Sequence, residues 1–336
     1  MAEKYHKKIL TLYLQEGNLQ AAVYEDRKLA CRLESVPYGE ASAAKIAAEA
    51  GEIDCVICPG GVVKPVKRGL YTIDENVVSD SESGAYGKHP YNGLAKIAAK
   101  IAADKVVPAY MLMPMSIDEL LIRNRISSNS NVPKRSRYYA LEHAAAIDTV
   151  AEAKDLVADD YNYIVAYIDN MVSVGAHMRG FGIDVNDMVG AEGPMGFTCS
   201  GDVPNAQLSG YVMKTGVEIS KLIKTLKQES GLLAYTGTTD PAEVDALTDE
   251  NALLAVSAMA YQISKWIGSS ALVLRGNVDG IILTGKGARS EKIVEGIRKR
   301  VEGIAEITVI PELDAEGYMA KCASVAGSFI WPVLKY

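Results

Sequence analysis

Five cysteines among 336 residues, an odd number at scattered positions, exclude a disulfide framework and suit a reducing compartment. No stretch reaches the roughly 18 uncharged apolar residues that a spanning helix needs. The start, MAEKYHKKILTLYL, is basic, but its apolar run is cut by Gln15, Glu16 and Asn18 and no signal cleavage site follows, so a cytoplasmic location is expected. Positive charge is not in excess: the net charge of −7 gives no support for nucleic-acid binding or for an anionic membrane surface. Phenylalanine is scarce, three against 18 tyrosines, so aromatic area here carries a polar tip suited either to interfaces or to a hydrogen-bonded core.

What is present is an ordinary globular profile, 49% hydrophobic and 23% charged. The length exceeds one hydrophobic core, so two domains are expected, 1–160 and 161–336, with the final helix packing back on the first. The "CVIC" pair, Cys55 and Cys58, matches C-x-x-C, but it lies within an apparent strand that would send the two thiols to opposite faces. No second pair or spaced histidine follows, and ordinary burial is the reading. No metal site is expected.

Three strand-like runs, "KKILTLYLQ", "LQAAVYED" and "KLACRLES", are separated by short polar turns and predict a meander. A helix at 41–50, a strand at 53–58, a loop with Gly60 and Gly61, a helix at 92–103 and a strand at 107–113 follow. Helical periodicity returns in "SIDELLIRNRI" and again over 136–157. At Tyr163 the pattern restarts: "YNYIVAYIDN", "MVSVGAHMRG" and "FGIDVND" form a second meander, turning at Asp169-Asn170 and Arg179-Gly180. A long helix at 251–274, a strand, glycine turn and helix in "VDGIILTGKGARSEKIVEGIRKR", the strand "ITVIPE" and a helix near 314–327 complete the chain. Each half is a meander followed by alternating helices and strands, a duplication of order rather than of sequence. The fold class is α/β, a duplicated actin-like (ribonuclease H-like) fold with a central interdomain cleft, where small ligands usually bind.

Several stretches then resemble the butyrate kinase family of the acetate and sugar kinase, Hsp70 and actin superfamily. They are "GGVVKPVKRGLYTID", "SVGAHMRGFGIDVND", "EGP", "GLLAYTGTTD", "AMAYQISKWIG" and "VDGIILTGKGARSE", in order across almost the whole chain. The resemblance implies phosphoryl transfer between ATP and a short-chain carboxylate, assisted by Mg²⁺ and by cations around the moving group.

The residues that such chemistry needs are mostly replaced. The family's first phosphate turn resembles N-P-G-S-T-S-T-K; the corresponding region here runs from Leu12 to Gln20, with Glu16 and Asn18 in the turn. The second resembles H-L-G-G-G and reads Tyr167-Ile168-Asp169-Asn170-Met171. Pro59 and Cys199 occupy two arginine positions, in G-R-G-G and P-E-R-S-G, and Met113 replaces the acid of a D-P dipeptide. Ala242 stands at a third arginine position, Lys286 replaces a glycine of T-G-G, and Leu313-Asp314-Ala315 replaces E-D-E.

A carboxylate about 5 Å from a phosphate costs roughly 3 kcal/mol at an effective dielectric near 20. Each missing charge-assisted donor removes about 3 kcal/mol more from the transition state. The sequence-level expectation is therefore a butyrate-kinase-like, non-catalytic (pseudokinase) binding or assembly subunit with no intact catalytic set and no cofactor. Two alternatives stand beside it: an active short-chain carboxylate kinase using Mg·ATP, and a repurposed small-molecule enzyme. The expected partner is a second copy (a dimer or higher) or an acyl-metabolising enzyme. Candidate ligand residues are Glu16, Asn18, Gly60, Gly61, Lys64, His89, Asp169, Asn170, Glu192, Gly285, Lys286 and Gly287. His177 reads as strand packing, and Asp169-Asn170 is also a good turn in its own right.

Overall fold

Ile9, Leu10, Thr11 and Leu12 are all buried, the mark of a strand covered on both faces. That strand, β1 (Lys8–Gln15), lies inside a sheet of the computed structural model, which describes residues 6–15, 17–39 and 41–336. After it come β2 (Asn18–Glu25), β3 (Lys28–Arg32), a short β4 (Val36–Pro37), α1 (Ala41–Glu49), β5 (Cys55–Pro59) and β6 (Leu70–Thr72). Next are α2 (Glu75–Ser83), α3 (Leu94–Lys105), β7 (Ala109–Leu112) and α4 (Ala140–Ala153). The second meander is β8 (Asn162–Ile168), β9 (Val172–Met178) and β10 (Phe181–Val185). Then follow α5 (Asn205–Thr215), α6 (Ile219–Gln228), α7 (Leu233–Thr236), α8 (Pro241–Ala246) and the long α9 (Glu250–Val273). The chain closes with β11 (Gly280–Thr284), α10 (Glu291–Val301), β12 (Ile307–Ile310), α11 (Ala315–Ser324) and β13 (Val333–Leu334).

The first sheet runs β13-β6-β7-β5-β1-β2-β3, the second β10-β9-β8-β11-β12. In both, an antiparallel meander is continued by two parallel strands, β5 and β7 in one, β11 and β12 in the other. The duplication inferred from element order is thus one of strand order and direction too.

The chain divides into two compact units, one reaching to Asp118 and including Asp314–Tyr336, the other Glu119–Leu313. This moves the boundary from the expected 160/161. The reason is α4, whose Ala146, Ile147 and Val150 form one buried cluster with Tyr163, Val165 and Ile282 of the second sheet. The last helix belongs to the first unit: Glu316 of α11 accepts from Thr11 Oγ1 at 3.2 Å and pairs with Arg32. The stretch "SIDELLIRNRI" is not a helix beyond a 3-10 turn at Ile122–Arg125. Tertiary partners pull its backbone out: Asp118 N donates to Val66 O, and Leu121 N to Ile183 O.

Helix ends follow the sequence closely. Asp249 caps α9 by accepting from Ala252 N, and Asp314 caps α11 by accepting from Gly317 N. Ser290 caps α10 and donates to Asp245, while Arg298, Lys299 and Arg300 fill that helix's last turn, where the dipole favours cations. The core of the second unit lies between its sheet and α9 and α10, around Met259, Ile263, Ile267, Ile293 and Ile297.

A buried polar chain fastens α4 to β9. His143 Nδ1 lies 2.9 Å from His177 Nε2, and its Nε2 lies 2.8 Å from Ser173 Oγ. Burial, with His177 alongside, holds His143 well below the usual histidine range. The folded chain therefore keeps this ring neutral where the unfolded chain protonates it, and stability falls with pH below the unfolded value of about 6.5. Urea denaturation should show this group removing about 1.4 kcal/mol per pH unit from there downward, a slope that His143→Gln flattens. An equal slope in both proteins would reject the assignment.

Candidate functional site

In the second unit the β8–β9 turn is held from two sides. Asp169 Oδ1 accepts from Asn170 N at 2.6 Å, a local turn bond that this residue pair favours. The turn's carbonyls are also occupied: Asp169 O accepts from Phe197 N at 3.1 Å, and Asn170 O from Thr198 N and Cys199 N at 3.1 and 3.0 Å. This approach requires glycine at 196, where a Cβ would lie 2.3 Å from Asn170 O. On the other side, Gly285 (φ +83°) and Gly287 pack against Ile168, with a Cβ on Gly287 2.3 Å from Ile168 Cγ2.

That second contact delivers Lys286. Its Nζ donates to Asn170 Oδ1 at 2.6 Å, stands 3.7 Å from Asp169 Oδ1, and lies 4.6 Å from the centroid of the Phe197 ring. Tyr167 completes the cluster, its ring tilted against buried Tyr139 with centroids 4.5 Å apart and its hydroxyl 3.5 Å from Asp169 Oδ2. Burial raises the Asp169 carboxyl above its ordinary range, and Lys286, the Asn170 N–H and Tyr167 act against that shift. The Asp169 and Lys286 side chains keep 25% and 19% of their surface open, so the pair is partly screened. The structure therefore corrects the picture of Asp169 as an uncompensated charge: a cation from 117 residues further along the chain stands beside it.

The first unit places its candidates differently. Gly60 and Gly61 allow tight packing, since a Cβ would lie 2.5 Å from Pro114 Cα or 2.6 Å from Asn92 Cα. The amides that follow already have side-chain acceptors: Val62 N donates to Asn92 Oδ1, Val63 N to Ser116 Oγ and Lys64 N to the Tyr336 hydroxyl. Lys64 Nζ rests 4.0 Å over the Tyr336 ring, and that hydroxyl donates to Asp80 at 2.6 Å. This loop is a braced structure rather than an open row of donors. His89 caps a 3-10 turn, its Nδ1 accepting from Tyr91 N. Asn18 opens β2 and is exposed; Glu16 lies outside the described residues.

Glu192 serves its own loop, accepting from Asp187 N at 2.6 Å and facing Lys134 at 3.4 Å. Among positions where the resemblance expects charged groups, Pro59 ends β5 buried, Met113 is buried with φ +45°, and Cys199 is buried beside the turn. Cys55 and Cys58 are both buried in β5 and free. Sequence reading missed Phe197 and Gly196; the only signal was a Gly-Phe pair one residue after "EGP". It also missed the two-bond pair Arg137–Asp187, which braces the segment before α4.

The Acetokinase family matches residues 136–319. A relative from Coprothermobacter proteolyticus, described as "Probable butyrate kinase", is 34% identical over 281 residues, covering 82% of this chain and 78% of that protein. Among solved structures, the acetate kinase of Porphyromonas gingivalis superposes with a TM-score of 0.80 at 17% identity, covering 94% of this chain and 98% of that one. A propionate kinase from Francisella tularensis subsp. tularensis SCHU S4 gives 0.74 at 14% identity, with the same two coverages. These two share the fold, the duplicated actin-like architecture of mixed sheets.

Proposed function

The chain belongs to the acetokinase family, and from that premise we propose that it is a carboxylate kinase acting on a short-chain acid such as butyrate. A carboxylate oxygen attacks the γ-phosphorus of ATP, the bond to the β–γ bridging oxygen breaks, and ADP leaves as acyl phosphate forms. Positioning and charge stabilisation supply the catalysis in such a transfer. The observation that carries this reading is Lys286, whose ammonium offsets Asp169 and brings a cation to the β8–β9 turn. Displaced toward a phosphate, it would supply a charge-assisted donor.

Among the described residues, no cluster of three or more His, Cys, Asp or Glu side chains is placed to hold a metal. Mg²⁺ enters as part of the Mg·ATP substrate. The test is hydroxylamine trapping with Mg·ATP and butyrate. Acyl hydroxamate should accumulate with ADP in equal amounts, and only when the acid is present. ADP at the level of the acid-free control, with no hydroxamate, would overturn the proposal.

A second reading has its own support. Pro59, Met113 and Cys199 are uncharged and buried where the resemblance expects charge, and α5 contains no buried residue, with Tyr211 and Met213 among its exposed side chains. On that reading the chain is a non-catalytic assembly subunit, joined through this surface to a second copy or to an acyl-metabolising enzyme. A null trapping assay together with a larger sedimenting species would favour it. Among the described residues, no helix is long and apolar enough to cross a membrane.

A further inference from the structure

The solvent side of the long helix α9 is short of charge. Between Glu250 and Val273 the only charged residues are Glu250 itself and Lys265. One face is core, with Val256, Met259, Ile263 and Ile267 buried in the second unit. The opposite side carries Leu254, Tyr261 and Leu272, which are 68%, 53% and 80% exposed. A surface helix ordinarily turns charge to water, and an aligned apolar stripe marks a face that another surface covers.

Leu254, Ala258, Tyr261, Lys265, Gly268 and Leu272 follow one another at alternating spacings of four and three residues. That is the pattern of a helix–helix seam, here about 27 Å long at 1.5 Å per residue. The stripe is also matched about position 263. Leu254 and Leu272 lie nine residues to either side of it, Ala258 and Gly268 five, Tyr261 and Lys265 two. A two-fold axis at that level, relating two antiparallel copies of α9, sets leucine on leucine and the two smallest residues on each other. Nothing lies within 4 Å of a Cβ built at Gly268, so the space before it is open to a neighbouring helix. At each end Arg275 falls opposite Asn251, next to Glu250, so opposite charges meet. Neither Glu250 nor Arg275 has an ion pair among the described residues. Near the axis, Lys265 Nζ lies 5.6 Å and Arg300 Cζ 5.9 Å from the centroid of the Tyr261 ring. Each Lys265 would meet the other copy's Tyr261, a cation–π pairing. The cations gathered there cost stability and fix the register, as a single polar seam position does.

We propose that the solvent face of α9 is a homodimer seam, occupied by the antiparallel α9 of a second copy of this chain. The pairing does not depend on the kinase reading.

Sedimentation equilibrium of the full chain should show a dimer. Leu254→Asp and Leu272→Asp should each weaken it at least tenfold, since symmetry brings each substitution into the seam twice. Leu254→Lys and Leu272→Glu should each do the same alone and restore the dimer when combined in one chain, because the new charges then face each other. Met213→Asp, at a site 86% exposed on α5, should leave association unchanged. Orientation is read by cross-linking with a short bis-maleimide in a Cys31→Ser background, Cys31 being exposed. An equimolar mixture of Leu254→Cys and Leu272→Cys should link. Neither should link alone, because like positions lie about 27 Å apart along the antiparallel pair. Thermal melts confirm that each variant is folded. A monomeric wild type, a dimer unmoved by both aspartate variants, linkage within one cysteine variant alone, or dissociation by Met213→Asp only would each overturn the proposal.

Discussion

Gly285→Ala will destabilise the second unit by about 3 kcal/mol. Two costs add. The backbone at 285 has φ +83° and ψ 179°, a region open essentially to glycine alone that costs another residue about 1–3 kcal/mol. The new Cβ would also lie 2.7 Å from Ile168 O and 3.0 Å from Ile168 N, so backbone rather than a flexible side chain must move. Ile168 ends β8, and shifting it disturbs the turn and takes Lys286 away from Asp169. Hydrogen exchange should report the damage first at Ile168–Met171, and urea denaturation its size. Gly268→Ala is the control, because nothing lies within 4 Å of its Cβ inside α9; helix propensity predicts a gain of up to about 1 kcal/mol. Equal midpoints for the two variants would show that Gly285 is not holding the turn.

Lys286→Met should have the next largest effect, and it separates stability from function. Without the ammonium, the Asp169 carboxylate keeps its burial and loses the strongest influence opposing it, so its already raised pKa rises further. A carboxylate whose folded pKa lies above the unfolded value costs stability at neutral pH, and the cost disappears as pH falls and both states take up the proton. The loss in Lys286→Met should therefore be about 1–3 kcal/mol near pH 7 and shrink toward pH 4. Asp169→Asn in the same chain should recover most of it, since no uncompensated charge remains. Mg·ATP-dependent activity should not recover, falling by about tenfold to a thousandfold in both Lys286 variants, as when one charge-assisted donor is lost from a transition state. A double variant that regained activity as well as stability would reduce Lys286 to a structural counter-ion.

Much of the architecture was legible from local pattern. The two meanders, the helix at Glu250–Val273 and the helix at Glu291–Val301 lie where strand alternation, polar turns and helical period put them, because these signals act within a few residues of themselves. The family was legible as well, since it rests on an ordered set of short motifs. Less visible was α2, although Asp74 caps it by accepting from Val77 N. "SIDELLIRNRI" misled because its helical period competes with hydrogen bonds to Val66 and Ile183 that no local rule contains.

The site divides along the same line. Sequence by itself determined that the turn at 169–170 has lost the glycines of a phosphate loop and that positions 59, 113 and 199 carry no charge. Only the tertiary structure decided what the remaining charges do. Asp169 and Lys286, 117 positions apart, meet because β8 and β11 pair side by side and Gly285 and Gly287 let the following turn close on Ile168. The segment around Cys199 joins the turn to the end of α6 because Thr198 and Ser200 donate to the carbonyls of Lys227 and Leu226 and Cys199 N donates to Asn170 O. Local periodicity records which residues face a core; electrostatic partnership depends on through-space distance, which strand pairing and backbone close approach set only after the chain has folded.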